Sequence, residues 1–117
     1  FDLRNDVRWC GERVIVNDSI KVFSQLELDQ SLTPNSCFPF ENGLFAPPTT
    51  LVIEEGAVLF IAKGADVRLK NNSTVKFKEG SSLIIEKGGK LQAKKGNLLI
   101  EDGVTLINKG KIKGKRN

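Results

Sequence analysis

One phrase recurs three times, and no copy is long enough to bury its own apolar side chains. Glu54-Glu55-Gly56-Ala57-Val58-Leu59-Phe60-Ile61-Ala62-Lys63-Gly64 aligns with Lys78-Glu79-Gly80-Ser81-Ser82-Leu83-Ile84-Ile85-Glu86-Lys87-Gly88, and again with Glu101-Asp102-Gly103-Val104-Thr105-Leu106-Ile107-Asn108-Lys109-Gly110. Gly56 to Gly80 is 24 residues and Gly80 to Gly103 is 23. A period of this size belongs to stacked supersecondary units, each supported by its neighbours, and not to a single globular core.

The period divides further. Gly or a stand-in recurs about every eight residues, at Gly56, Gly64, Asn72, Gly80, Gly88 and Gly96. Three and five positions after each of the first five come Leu59 and Ile61, Val67 and Leu69, Val75 and Phe77, Leu83 and Ile85, Leu91 and Ala93. A spacing of two is strand spacing, and Gly or Asn accepts the positive φ of a tight corner, so each octad reads as one short strand and one corner. Three octads per coil put Phe60 over Ile84 and near Ile107, and Arg68 over Gln92, sorting the outward faces into an apolar and a polar one. Two octads per coil would mix charged and apolar residues on every face, although corner charges would then alternate better. The repeated phrase decides for three, because exposed like charges cost only tenths of a kcal/mol.

The chain has 117 residues, 39% hydrophobic and 27% charged, which suits one ordinary domain and excludes a disordered tail. Gly interrupts the later two thirds too often for helices. No apolar run approaches the 18 or so residues of a membrane span. The chain starts at Phe1 and has no Met, which reads as processing or excision. Cys10 and Cys37 are the only cysteines, and without His a mixed metal site has no second ligand type. They read as a single disulfide, worth roughly 3 to 4 kcal/mol in the chain-entropy model and implying an oxidising compartment. Two buried reduced thiols are the other reading.

Residues 1–50 lack the octad pattern. Short strand candidates at Arg13–Val16, Ile20–Phe23 and Leu26–Leu28 precede an irregular stretch, Thr33–Pro48, that holds all four prolines. This part is expected to cap the end of the stack, with Trp9 plugging the core. Residues 51–117 are expected to form the repeats proper, as 54–77, 78–100 and 101–117.

The run from Leu51-Val52-Ile53-Glu54-Glu55-Gly56-Ala57 through Gly88-Gly89-Lys90-Leu91-Gln92-Ala93, with the lead-in of Trp9, Val14-Ile15-Val16 and Ile20-Lys21-Val22, resembles the parallel β-helix regions of bacterial secreted and surface proteins. The resemblance covers about residues 9 to 114. It implies an all-β, right-handed, single-stranded parallel β-helix, a solenoid of about 24 residues and three short strands per coil with an N-terminal cap. It also implies secretion or display at a cell surface. Such coils occur in adhesins, phage appendages and polysaccharide-active enzymes, so activity has to be argued from residues.

The residues argue against catalysis. The outward strand positions, Val52, Phe60, Arg68, Lys76, Ile84, Gln92, Leu99 and Ile107, include no carboxylate, whereas glycosidic cleavage needs two acids across a bond. With no His and no Tyr, nucleophilic triads have no support. Glu55, Glu79 and Asp102 should form an acidic ladder, too sparse for a calcium solenoid and expected to be a solvated edge.

Charge is uneven along the chain. Residues 1–50 carry four basic and seven acidic side chains, and residues 51–117 carry 14 and seven. Lys63, Lys87 and Lys109 at one corner, and Lys70 and Lys94 at another, form the edges an anionic ligand would meet; solubility and edge protection are the bland reading of the same lysines. Anionic polysaccharide or a negatively charged envelope fits such edges better than nucleic acid, since aromatic stacking platforms are missing. The expectation is a non-catalytic extracellular structural or binding module, adhesin-like or part of a larger surface protein, without cofactor or metal and monomeric. The alternatives are a virion appendage module and a non-catalytic remnant of a polysaccharide-active protein.

Overall fold

The computed structural model describes residues 2–10, 13–29 and 49–114, with the side chains of Cys10 and Arg13 outside that description. The proposed Cys10–Cys37 bridge and the proline-containing stretch therefore lie outside the described residues, as do Lys115 and Arg116.

The described residues are all strand and turn, with no helix. In chain order the strands are β1 (Asp2–Leu3), β2 (Val7–Cys10), β3 (Arg13–Val16), β4 (Ser19–Val22), β5 (Gln25–Asp29), β6 (Thr50–Ile53) and β7 (Val58–Ile61). They continue as β8 (Asp66–Leu69), β9 (Thr74–Phe77), β10 (Ser82–Ile85), β11 (Lys90–Gln92), β12 (Asn97–Ile100), β13 (Thr105–Asn108) and β14 (Lys111–Lys113). Successive strands go to different sheets. Sheet A has the order β1-β4-β7-β10-β13, sheet B β2-β5-β8-β11-β14 and sheet C β3-β6-β9-β12. Every pairing is parallel. This is a stack of repeating layers, consistent with a β-solenoid.

Register follows the repeated phrase. Leu59 pairs with Leu83 and Leu83 with Leu106, steps of 24 and 23 residues. Phe60 lies beside Ile84 and Ile84 beside Ile107, while Arg68 lies beside Gln92. The inward pairs are buried throughout, from Leu59 and Ile61 to Leu91 and Ala93, and they join Ile20, Val22, Leu26 and Leu28 in one core. Among the expected outward positions Val52 differs: it is 2% exposed although Ile15 and Lys76 beside it in register are not buried.

The front part shares the sheets of the repeats. Its five strands β1–β5 belong to the same three sheets, and β4 and β5 pair directly with β7 and β8. Ile20, Val22, Leu26 and Leu28 already alternate as inward residues, but they lack the Gly corners that mark the later copies, so the repeated phrase does not extend to them. Trp9 is half-buried against the core in β2, the outer strand of sheet B at that end.

The corners explain the glycines. Gly56, Gly64, Gly80, Gly88 and Gly103 all have φ between +80° and +90°, and Asn71 and Asn72 take the left-handed region where the octad has no glycine. Gly96 differs from that expectation: its φ is not positive, and glycine is needed there because a Cβ would lie 2.6 Å from the Cβ of Leu69. Buried hydroxyls then close the turns from inside. Ser73 Oγ donates to the Lys70 carbonyl at 2.7 Å and Ser81 Oγ to the Lys78 carbonyl at 2.6 Å, so the polar groups drawn into the core are paired.

Candidate functional site

Sheet B carries the polar outward face, and its two halves are built differently. In the first half the charges are paired. Asp29, 2% exposed, accepts from the side chains of Arg8 and Asn71. Glu27 lies 3.3 Å from Lys70 and 3.6 Å from Arg8. Asp66 accepts from Arg68 Nε at 2.9 Å and from both hydrogens' worth of Gln92 Nε2, at 2.9 and 3.0 Å to its two oxygens. The hydrogen bond to Asp66 holds the Arg68 guanidinium above its already high pKa.

In the second half, around β11 and β14, only positive charge remains. The strands place Lys90 beside Lys111 and Gln92 beside Lys113, while the alternating Leu91 and Ile112 turn inward. Lys87 and Lys109 stand at the corner before these strands, Lys94 and Lys95 at the corner after β11. None of these seven lysines has an ion-pair partner among the described residues. Glu86, next to Lys87 in the chain, accepts a hydrogen bond from the Lys63 backbone N–H at 3.2 Å.

Two shallow hollows mark this face. Lys87, Lys90, Lys109 and Lys111 surround one, floored by the backbone of Gly88, Gly89 and Gly110. Arg68, Lys70, Gln92, Lys94 and Lys95 surround the other with Leu69. Lys90 and Gln92 are two residues apart on one strand, about 7 Å, so the hollows adjoin. Neither is lined by a carboxylate. Low-lying glycine backbone among lysines suits an anion that needs both charge and close approach.

Sequence reasoning named Lys63, Lys87 and Lys109 as one edge and Lys70 and Lys94 as another. The structure brings Lys87 and Lys109 to the first hollow and Lys70 and Lys94 to the second, with sheet B between them. Lys63 stands apart, sharing a third depression with Glu86, Lys87 and Gly88. Missed were Lys90, Lys95, Lys111 and Lys113 as members of one face. The signal was present, since Lys90 and Lys111 follow the Gly corner at matching places in consecutive layers.

At the corner between sheets C and A the charges are again ordered. Lys78 Nζ lies 3.3 Å from Glu54 and Lys76 Nζ 3.6 Å from Glu101. Glu101 also accepts the Glu79 backbone N–H at 2.9 Å, the main cause that lowers its pKa, aided by Lys76 and Lys78. Among the described residues no group of acids and cysteines is arranged to hold a metal ion. No described helix is long and apolar enough to cross a membrane.

Comparison with protein-family models, with curated protein sequences and with solved structures returns no match to this chain.

Proposed function

We propose that this chain is a non-catalytic, extracellular binding module that holds an anionic polymer, an acidic polysaccharide or the negatively charged polymer of an envelope, along the second half of sheet B. The observation that carries the reading is the set of seven lysines without ion-pair partners among the described residues, gathered around β11 and β14 while the first half of the same sheet pairs its charges. A polymer with one charge per sugar meets lysines stepped by one strand spacing, about 4.8 Å, so several weak contacts act together. The carboxylate-free lining of both hollows supports binding in preference to hydrolysis, which requires an acid pair.

In this reading the scaffold is a right-handed parallel β-helix of about 24 residues per coil, and its rigidity serves to hold the lysines in a fixed array. Secretion or surface display is part of the same proposal, because acidic polysaccharides are met there.

Binding to immobilised polygalacturonate, with neutral dextran as control, tests it. We expect binding to the acidic polymer alone, weakening steeply between about 0.05 M and about 0.5 M salt. Replacing Lys90, Lys94 and Lys111 by Gln should reduce it at least tenfold, while replacing Lys21 and Lys76 by Gln should leave it nearly unchanged. Equal binding to dextran, or equal loss in both variants, would overturn the proposal.

A further inference from the structure

On β7, β10 and β13 sheet A carries an apolar outward face, beside which β4 turns the exposed Lys21 outward, and the flanks of the three strands are of opposite sign. By strand alternation Val58 and Phe60, Ser82 and Ile84, Thr105 and Ile107 point outward, with Ile107 42% exposed. Glu55, Glu79 and Asp102 run along the corner before these strands, and Lys63, Lys87 and Lys109 along the corner after them. None of the six has an ion-pair partner among the described residues, whereas Glu54, Lys76, Lys78 and Glu101 close by are all paired. Each column is a ladder of like charge at one strand spacing.

The columns are disposed evenly about the strand centres. Glu55 and Lys63 each lie four residues from the inward Leu59, and Glu79 and Lys87 each four from Leu83. A two-fold axis running along the stack, above Leu59 and Leu83, therefore superposes the acidic column of one copy on the basic column of another. The levels also match, since such an axis keeps every layer at its own height.

We propose that the outward face of sheet A is a self-recognition surface, which packs on the same face of a second copy with strands antiparallel across the interface. Glu55 then meets Lys63, Glu79 meets Lys87 and Asp102 meets Lys109 of the second copy, on both flanks. Phe60 packs on Val58, Ile84 on Ser82 and Ile107 on Thr105. The other face-to-face arrangement, with strands parallel, sets lysine on lysine and acid on acid, so charge selects the orientation. A dimer through sheet A departs from the expected monomer; Lys109 of the last layer takes part in it, whereas the last strand, β14, does not. Lys87 and Lys109 are shared with the binding face proposed above, while Lys90, Lys94, Lys95, Lys111 and Lys113 of both copies stay outside the contact; self-association measured without any polymer keeps this inference separate from that proposal.

The interface is small. Three strands at about 4.8 Å and four residues at about 3.3 Å give roughly 190 Å² per copy before the corners are added, against about 800 Å² per partner in a standard stable complex. The dimer is accordingly weak and salt-sensitive.

Sedimentation velocity over a concentration series up to about 1 mM reads it directly. We expect reversible dimers, weakened roughly tenfold between about 0.05 M and about 0.5 M salt. Replacing Lys63, Lys87 and Lys109 by Glu makes both columns acidic; replacing Glu55, Glu79 and Asp102 by Lys makes both basic. Neither variant should self-associate, and an equimolar mixture should form heterodimers. In wild-type protein, carbodiimide cross-linking of mixed isotope-labelled and unlabelled copies should join Glu79 to Lys87 between chains, which covers the case in which a variant fails to fold. A wild-type monomer throughout the series, a self-associating variant, or intermolecular cross-links confined to other faces would each overturn the proposal.

Discussion

The side chain of Glu55 lies over Gly80 of the next layer, so near that a Cβ on Gly80 would stand 2.8 Å from the Glu55 Cγ. Glu79 lies over Gly103 in the same way, with 2.9 Å to its Cγ. These glycines thus answer two demands, the left-handed corner and room for the acid of the layer before.

The two demands can be separated at Gly56, which has the same corner geometry at φ +81° and nothing within 4 Å of where a Cβ would sit. Gly56→Ala should cost about 1 kcal/mol, the strain of a left-handed alanine. Gly80→Ala should cost more, about 1 to 3 kcal/mol, unless Glu55 swings away. Urea denaturation of both variants, and of Gly80→Ala combined with Glu55→Ala, measures the difference; the double variant should return to the Gly56→Ala value.

Leu83 is 0% exposed and sits between Leu59 and Leu106 in the inward column. Leu83→Ala should destabilise by about 2 to 5 kcal/mol, and Leu83→Asp should abolish folding, because a charge there has no partner. Lys87→Ala, at an exposed corner, should change stability by less than about 0.5 kcal/mol. Similar melting temperatures for Leu83→Asp and Lys87→Ala would show that Leu83 does not face the core.

Two carboxylates tie stability to acid pH. Asp6 is held below its usual pKa by the Ser24 hydroxyl, then by the Gln25 N–H, and Glu101 chiefly by the Glu79 N–H. A carboxylate whose pKa is lower in the folded state stabilises the fold above its unfolded pKa, and that contribution fades as pH falls through the folded one. Melting temperature should therefore decline as pH drops from about 5 into the range below the ordinary carboxylate pKa of about 4. Asp6→Asn with Glu101→Gln should flatten that decline while lowering the melting temperature at neutral pH.

The last layer offers an outer strand in each sheet, β12, β13 and β14, with Ile100, Val104, Leu106 and Ile112 only partly buried above the core. Lys111 and Lys113 discourage strand addition at β14. Replacing both by Thr should produce associated species larger than dimers in light scattering, and these should persist at high salt, unlike the sheet A contact.

The inward register was legible because apolar side chains recur at fixed distance from a corner glycine, as Leu59, Leu83 and Leu106 do. The membership of β1–β5 in the same sheets was less so. Ile20 and Leu59 are register partners but stand 39 residues apart, since residues 30–48 intervene, and a fixed period cannot bridge that interval. The cationic face was only half legible: the lysines could be sorted by corner, but Lys90 and Lys113 join it through the sheet between the corners. Asp29 gave no signal at all, because its burial depends on Arg8 and Asn71 arriving from other layers.

Four corner amides reach across to the layer after their own. Gly56 N–H donates to the Gly80 carbonyl and Gly80 N–H to that of Gly103, while at the other two corners Gly64 donates to Gly88 and Asn72 to Lys95. Each of these corners is thus tied through its backbone to the layer after it, so one layer cannot open without loosening the next.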